Sequence, residues 1–459
     1  MQFYKDLKKV HLEKKIINSI YNNIYVWPIL RYQLLSTILL YKEKSDAFVD
    51  RKFTFINELK VLIYSFIRYP FKRKNTEILV ITSPDSLIFD NELNKYINRV
   101  FDKYLINLKS NIVYLEDIRN VNLFDYKIYR EKHYSIYLIR VLIEICTIFK
   151  YHFQYKIFDL KNTLNPLIKK LIELFNVIDD NVVLKMNNSS LKSIIRSLYW
   201  YRFYNYYLKN SNIKKIFIED GHYGLEKAIL CNVAHNLNIQ TIEIQHGFVL
   251  KNHIAYNVYE HNNYPSDYNK YFPNYFFTFG KFWSSQANTF SKIIEIGVFQ
   301  PNNEKIKEKK LLIVSNGADF FEMSQFINTI INDNRLQEYQ IYIRPHPHEF
   351  NLIKKRYNKF LSNRVIIDIS SLESSLSSSE IIISVLSTVL FQSLFFCKKI
   401  FLLNTPFTSL YFNADIKYFK KIEISNYDEI FNKDYSLNIN CIEYYWSDFS
   451  IDNFNIYLK

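Results

Sequence analysis

The chain reads as an α/β protein of two doubly wound units, and three observations carry that expectation. Between Lys214 and Gly247 an apolar run (216–218), a turn (Glu219-Asp220-Gly221), a helical stretch and a second β-type run (241–244) follow one another. That succession is how parallel strands are joined by a helix. The alternation starts again at Leu311, after the polar, proline-containing run 300–310, which has the make-up of a linker. Finally, 459 residues are too many for one ordinary core, so two domains are expected.

Taken in order, residues 1–75 read as amphipathic helices, one of them opening at Trp27-Pro28, since proline suits a first helical turn. The run 77–82 is a buried strand closing on Ser83-Pro84-Asp85, and 111–115 is a second. From about 125 to 210 the pattern is helical, with aromatic stripes that at this spacing mark core rather than cofactor contacts. Strands follow at 275–279 and 293–297, with a helical segment over 282–292 between them. Beyond the linker, strands are predicted at 311–314, 340–343, 365–369, 381–384 and 400–403, separated by helices near 320–334, 373–378 and 387–396. The stretch from about 425 reads as helical and is expected to fold back over the first domain. The expected domains are 1–300, with helical insertions, 301–425, and a C-terminal helical tail, 426–459.

Composition narrows the class. A hydrophobic content of 48% excludes general disorder, and the 38 Tyr and 38 Phe are spread along the whole chain. The formal charge of +14 allows nucleic acid, anionic lipid or an acidic substrate. No arginine-rich arm, zinc-finger spacing or RNA-binding signature accompanies it, so nucleic acid is not an expected partner. Lys and Arg interleaved with aromatics near the N-terminus and around 60–75 fit an anionic membrane surface better. The start lacks the apolar core of a signal peptide, and Arg140, Glu144 and Lys150 interrupt the apolar stretch 137–153. A cytoplasmic protein resting on the inner face of the membrane is therefore expected. Four widely spaced cysteines (Cys146, Cys231, Cys397, Cys441) show no metal spacing and read as buried small apolar residues.

Open α/β sheets bind ligands at the carboxyl ends of their strands, so residues just past predicted strands are the candidates for chemistry. Glu219-Asp220 is a carboxylate pair, one member able to ionise as base or nucleophile while the other accepts hydrogen bonds or stays protonated. His246 follows a buried strand and precedes Gly247, a place suited to binding phosphate or a sugar carboxylate, or to proton transfer. In Arg344-Pro345-His346-Pro347-His348-Glu349 two prolines hold the chain extended, which suits an anion or nucleotide site, while His348 and Glu349 are free to face solvent. Ser384, Ser387 and Thr388 stand at a helix start, and Asn316-Gly317 at the end of another strand, both places for an anion. The six glycines all fall between positions 221 and 317, most of them at strand ends. Gly221 and Gly247 among them are expected to let substrate approach the backbone. P-loop, dinucleotide-binding, zinc-protease and serine-hydrolase motifs are absent from the sequence, as is a DxD motif at a strand end, so no metal is expected.

Together, Glu219-Asp220-Gly221, Gln245-His246-Gly247, Arg344-Pro345-His346-Pro347 and Ser384 with Ser387-Thr388 resemble, in this order, the motifs of bacterial GT-B glycosyltransferases of capsule, O-antigen and lipooligosaccharide synthesis. The resemblance covers about residues 210–405. It is shared between bacterial sialyltransferases, with an acidic pair before glycine, a His-Pro element and a Ser-Ser/Thr element, and Kdo transferases, with QHG and His-Pro elements. The resemblance implies two Rossmann-like domains facing a cleft, with additional N-terminal helices. It implies a CMP-activated acidic sugar as donor, no cofactor, and a glycan or lipid-linked glycan as acceptor. Asp220 would be the catalytic carboxylate, as base in an inverting reaction or as nucleophile in a retaining one. His346 and Pro347 would hold the CMP, Ser387 and Thr388 its phosphate, and Arg344 and His246 would face the sugar carboxylate or leaving phosphate. Teichoic-acid polymerases that use CDP-alditols share the HG and HP elements, giving a second reading in which His246 is the base. A non-catalytic carbohydrate- or membrane-binding protein is a third.

Overall fold

The computed structural model describes the chain apart from residues 1, 43–54, 69–75, 91–93, 106–107, 109–110, 119–132, 154–156, 302–307, 318, 347–348, 350–351, 397–398, 413–414, 433–440 and 458–459. Two parallel sheets organise it. The first contains β1 (Ile78–Ile81), β2 (Ile112–Glu116), β3 (His133–Ser135), β4 (Lys215–Ile218), β5 (Gln240–Ile244), β6 (Tyr275–Thr278) and β7 (Lys292–Glu295). Their spatial order is β7-β6-β5-β4-β1-β2-β3, and every neighbouring pair is parallel. The second contains β8 (Glu308–Val314), β9 (Gln340–Arg344), β10 (Val365–Ile367), β11 (Ser379–Ser384), β12 (Lys399–Leu403) and β13 (Lys420–Ile422), in the order β10-β9-β8-β11-β12-β13. It too is wholly parallel. Each sheet thus winds outward in both directions from its first strand, the Rossmann order, and each has a crevice where the winding reverses. The two α/β units expected from the sequence are present.

Alternation along the strands explains why both sheets are covered on two faces. Leu79, Ile81, Ile216 and Ile218 face the large core that also contains the N-terminal helices, whereas Ile78, Val80 and Phe217 face a second cluster. In the other sheet Leu312 and Val314 join the large core while Leu311 and Ile313 face a cluster of their own. Period-two alternation with apolar residues on both faces is the signature of a doubly covered parallel sheet. One apolar core therefore runs through both units. Phe391, from the helix Thr388–Gln392, meets Trp283 with ring centroids 4.8 Å apart, and Trp446 Nε1 donates to the Phe391 carbonyl at 3.1 Å.

The sequence reading needs several corrections. Residues 133–135, expected to be helical, form the edge strand β3, and 87–90 with 95–98 form an antiparallel hairpin that was not expected. A second hairpin joins Ile20–Tyr21 to Ile24–Tyr25 through Asn22 and Asn23, both at positive φ, where asparagine is tolerated. The helix expected over 282–292 stops at Gln286, because β7 already begins at Lys292. Glu308–Lys310, expected as linker, begin β8. The tail is broken into Cys441–Tyr445 and Ile451–Ile456, with extended chain between them. Phe454 of the last helix lies among Phe217, Ile242 and Phe277 beneath the first sheet. The first helix, Gln2–Val10, buries Phe3, Leu7 and Val10, so the apolar face of this amphipathic segment is turned into the core. Cys231 and Cys441 are buried free thiols as expected, but Cys146 is exposed, and Cys397 lies outside the described residues. No described helix is long and apolar enough to cross a membrane.

Gly297, just past β7, shows how the tail is fastened. Its φ is +74°, and an added Cβ would lie 2.1 Å from the Asp448 carbonyl oxygen. Asp448 belongs to the extended segment that bridges to Val298. Both backbone strain and a clash oppose any side chain here, so Gly297→Ala should lower stability by about 2–4 kcal/mol. Gly247→Ala meets nothing nearer than Thr388 Oγ1 at 3.7 Å and should be close to neutral. Urea unfolding of the two variants side by side checks both expectations.

Candidate functional site

The crevice of the first sheet opens between β1 and β4, and the turns leaving these strands are joined by hydrogen bonds. Ser83, after β1, donates its backbone N–H to Glu219 Oε2 at 2.8 Å and its hydroxyl to Asp220 Oδ2 at 2.5 Å. The Ser86 hydroxyl donates to Glu219 Oε1. Glu219 is buried with both oxygens occupied, so it braces the turn and does not face the cleft, unlike the catalytic role the sequence suggested. Its carboxyl is raised above the ordinary range by burial and by the neighbouring Asp220.

Asp220 stands apart from its neighbour. It takes a left-handed conformation, φ +60°, that few residues other than glycine accept. His246 Nε2 lies 2.9 Å from its Oδ1, and the Asp220 side chain stays 28% exposed against 12% for His246. Burial alone would raise the Asp220 carboxyl and lower the His246 imidazole. Their mutual attraction and hydrogen bond win in both cases, with Ser83 helping: Asp220 is held well below the usual carboxylate range and His246 is pushed up to about 9. At neutral pH the pair is an aspartate and an imidazolium. Its carboxylate is the charged group of the turn that is open to the cleft.

Residues the sequence reading passed over hold this pair in place. Glu243, fully buried in β5, accepts from the His222 backbone N–H at 3.1 Å and from the Tyr256 hydroxyl at 2.9 Å, and bonds the His222 ring Nδ1. His246 Nδ1 lies 3.9 Å from Glu243 Oε1 and has no hydrogen-bond partner. Buried Arg31 donates to the carbonyls of Ile254, Ala255 and Asn257 at 2.5, 2.6 and 3.0 Å, which fixes the segment carrying Tyr256. His253 in that segment is held neutral, lowered to about 3 by burial and by the nearby His246. The sequence signal for Glu243 was an acid inside an otherwise apolar strand. Ser83 was signalled only by its place after β1.

The crevice of the second sheet lies between β8 and β11. Asn316, after β8, is occupied by Asp319: its Nδ2 donates to Asp319 Oδ2, and its Oδ1 accepts from the Asp319 N–H, both at 3.1 Å. Asp319 also accepts from Thr405 Oγ1 at 2.8 Å, but burial outweighs these bonds and raises it to about 6. Gly317 sits at φ +79°, with its carbonyl accepting from Arg356 at 3.1 Å. Ser384 is buried and donates to the Val385 carbonyl at 2.7 Å, with its Oγ 3.2 Å from that of Ser387. Ser387 and Thr388 are half-buried, and the helix they open is five residues long.

Two candidates change direction. Glu349 is buried, not solvent-facing: it accepts from the His346 N–H at 2.9 Å, Arg356 Nη1 at 2.7 Å and the Tyr357 hydroxyl at 2.7 Å. It therefore clasps the turn that carries half-buried His346. Arg344 does not join the others, since its Nη1 donates to the Ser370 carbonyl at 2.9 Å and Ser375 Oγ at 2.6 Å, with Asp368 3.6 Å away. Pro347 and His348 lie outside the described residues. Gly221 likewise serves packing, because a Cβ there would meet Pro273 Cγ at 2.5 Å and Glu243 Oε2 at 2.8 Å. Substrate is not needed to explain that glycine.

The two rims face each other. A Cβ on Gly247, past β5, would lie 3.7 Å from Thr388 Oγ1, past β11. Asn252 Nδ2 donates to the Leu410 carbonyl at 3.2 Å, and the Phe248 and Tyr411 rings are 5.8 Å apart. Asp220, His246 and Gly247 thus stand on one wall and Ser387 and Thr388 on the other. Among the described residues, no group of three or more His, Cys, Asp or Glu is placed to hold a metal ion. A separate cavity of about 530 Å³, lined by Thr329, Arg335, Asn404, Glu423 and Tyr427 among others, contains none of these residues.

No protein-family model matches the sequence, and no curated protein matches it. Solved structures with a similar general arrangement include UDP-GlcNAc 2-epimerase from Methanocaldococcus jannaschii, with a TM-score of 0.44 and 11% identity, over 83% of this chain and 99% of that one. UDP-GlcNAc 2-epimerase from Neisseria meningitidis bound to UDP-GlcNAc gives 0.41 and 11%, over 80% and 98%. TarM gives 0.35 and 12%, over 57% of each chain. At these scores the likeness is one of general arrangement, and the site is read from its own residues.

Linkage gives the sign of a pH test. A histidine raised from 6.5 to about 9 contributes stability that is fully present below about pH 6.5 and is lost as pH rises through 9. The depressed Asp220 contributes stability above its unfolded value near 4, lost only in strong acid. The stability difference between the native chain and His246→Gln should therefore shrink by on the order of 2 kcal/mol between pH 6.5 and 9.5. Denaturant titrations across that interval measure it, and a flat difference would remove the ion pair.

Proposed function

We propose that the chain is a glycosyltransferase that moves an acidic sugar, of the Kdo or sialic-acid kind, from a CMP-linked donor to a bacterial surface glycan or lipid-linked glycan. The observation that carries this reading is the ionised, partly exposed Asp220 paired with His246 at the β1/β4 crevice, on the wall whose Gly247 faces Thr388. Two neighbouring carboxyl groups driven apart in basicity are the recurring mark of divided catalytic and supporting tasks. Here Asp220 stays charged and Glu219 stays inside.

The same contrast favours the nucleophilic role for Asp220. A general base works best with a pKa near the working pH, whereas the Asp220 carboxylate is held well below it by His246 and Ser83. In the proposed reaction an Asp220 oxygen bonds to the anomeric carbon as the bond to the CMP phosphate breaks, and CMP leaves with the electron pair. The acceptor hydroxyl then displaces the Asp220 carboxylate, which leaves with its electron pair, while the hydroxyl proton passes to solvent water, so configuration is retained overall. His246, as an imidazolium, orients Asp220 and balances charge beside it. His346, Ser387 and Thr388 are proposed to hold the CMP, with Asn316, Gly317 and Ser384 shaping the wall behind them. The CDP-alditol reading requires His246 as base, and its protonated state at neutral pH speaks against that role.

With CMP-Kdo or CMP-sialic acid and a suitable glycan, the native chain should release CMP. Asp220→Asn should lower kcat at least about 100-fold with little change in KM. Intact-mass analysis with donor alone should show a sugar adduct on the peptide carrying Asp220. An inverted product with no adduct would make Asp220 a base instead. Undiminished turnover in Asp220→Asn would overturn the assignment altogether.

A further inference from the structure

Two tyrosines stand beside Asp220 and His246 without taking part in the hydrogen bonds that hold that pair. Tyr223 ends the turn that carries Asp220, and its ring centroid lies 5.9 Å from that of His246. Tyr32, from the helix Val26–Lys42, packs on Tyr223 with centroids 4.4 Å apart. Gly224 makes this contact possible. Its φ is +78°, and an added Cβ would lie 2.6 Å from the Ile29 carbonyl oxygen, so the turn settles on the helix only where no side chain intervenes. Both tyrosines are half-buried, so each keeps part of its surface open. On the other side of Tyr223 stands His253, with ring centroids 5.9 Å apart, and beyond it Tyr411 of the second unit, 6.1 Å from the His253 ring.

The hydrogen bonds around Tyr223 leave one donor over. The Ala255 N–H donates to His253 Nδ1 at 3.3 Å, so the neutral His253 carries its proton on Nε2. That N–H meets the Tyr223 hydroxyl oxygen at 3.5 Å, which therefore accepts, and the hydroxyl's own proton has no acceptor among the described residues. Desolvation, then the neighbouring Tyr32 and the charge of Asp220, raise this phenol well above its ordinary value, so it remains a donor. Two partly open aromatic rings and one unclaimed O–H are the chemistry of a pyranose site, where the C–H face of the sugar lies on the rings and one of its oxygens accepts. The wall is uncharged, since His253 is held neutral, which suits a neutral sugar better than the carboxylate or phosphate of a donor. We infer that Tyr32 and Tyr223 form the subsite for the acceptor sugar, with the Tyr223 O–H donating to one of its oxygens while a neighbouring hydroxyl is presented to the sugar held at Asp220. That this sugar is the acceptor rests on the transferase reading; that a sugar binds here does not.

Lactose, maltose and N,N′-diacetylchitobiose serve as probes that need no donor. In saturation-transfer NMR the full native chain should pass saturation to the ring C–H protons of at least one of them, and Tyr32→Leu combined with Tyr223→Leu should abolish the transfer while circular dichroism shows the fold intact. With a CMP-sugar and a glycan acceptor, Tyr223→Phe, which keeps the ring and its packing, should raise the acceptor KM about fivefold. The donor KM, and the CMP released with donor alone, should not change. A merely structural role would lower the melting temperature and disturb donor and acceptor alike. Equal transfer in the double variant, none from the native chain, or a rise in the donor KM in place of the acceptor KM would overturn the inference. Sugar binding lost in the double variant, with no CMP released by the native chain, would count for the subsite and against the CMP-linked donor.

Discussion

A buried carboxyl group must have its hydrogen bonds met inside the protein, and Glu243 imposes that requirement on the centre of the first domain. It sits in the middle of the sheet with no access to water. Its partners come from the turn after β4, through His222, and from the loop after β5, through Tyr256. One side chain therefore sets the spacing of two separate turns. Asp220, two residues before His222, is carried into the cleft by the first turn, and His246, three residues past Glu243, meets it from the second. The support reaches further back. Arg31, near the start of the chain, closes three carbonyls of the loop that supplies Tyr256, so the helix Val26–Lys42 is part of the site's foundation. The N-terminal helices thus hold a loop more than two hundred positions further along the chain.

What could be read from the sequence was whatever a strand writes locally. Apolar runs of four to six residues ending in turn residues located most strands of both sheets, and the rims followed from the strand ends. His133–Ser135 was not legible because an edge strand of three residues, two of them polar, leaves no apolar run to detect. The interior direction of Glu219 was not legible either. Glu219 and Asp220 are adjacent acids in one turn, and what separates them is a pair of serines about 135 positions earlier in the chain. Arg344 and Glu349 show the same limit. Their sequence neighbourhood suggested an open anion site, whereas Ser370 and Ser375 engage Nη1 of Arg344, and Arg356 and Tyr357 engage the Glu349 carboxylate. Strand ends show where chemistry sits; which polar groups remain available depends on partners that only the fold brings near.

The two units share a strand order but finish their crevices differently. On the first rim an ionised carboxylate and an imidazolium stand side by side, each holding the other's charge in place. On the second, half-buried Ser387 and Thr388 present neutral hydroxyls, and the nearby acid, Asp319, is buried among Asn316 and Thr405. Organised charge of the kind found on the first rim is what stabilises charge that develops during a reaction. The second rim is suited to shape and hydrogen bonding. Their separation is set by more than the linker, because Phe391, just behind Thr388, is packed against Trp283 and Trp446 of the continuous core. Closing or opening the cleft would have to slide these rings across one another. That makes small shear, and not free hinging, the motion the packing permits.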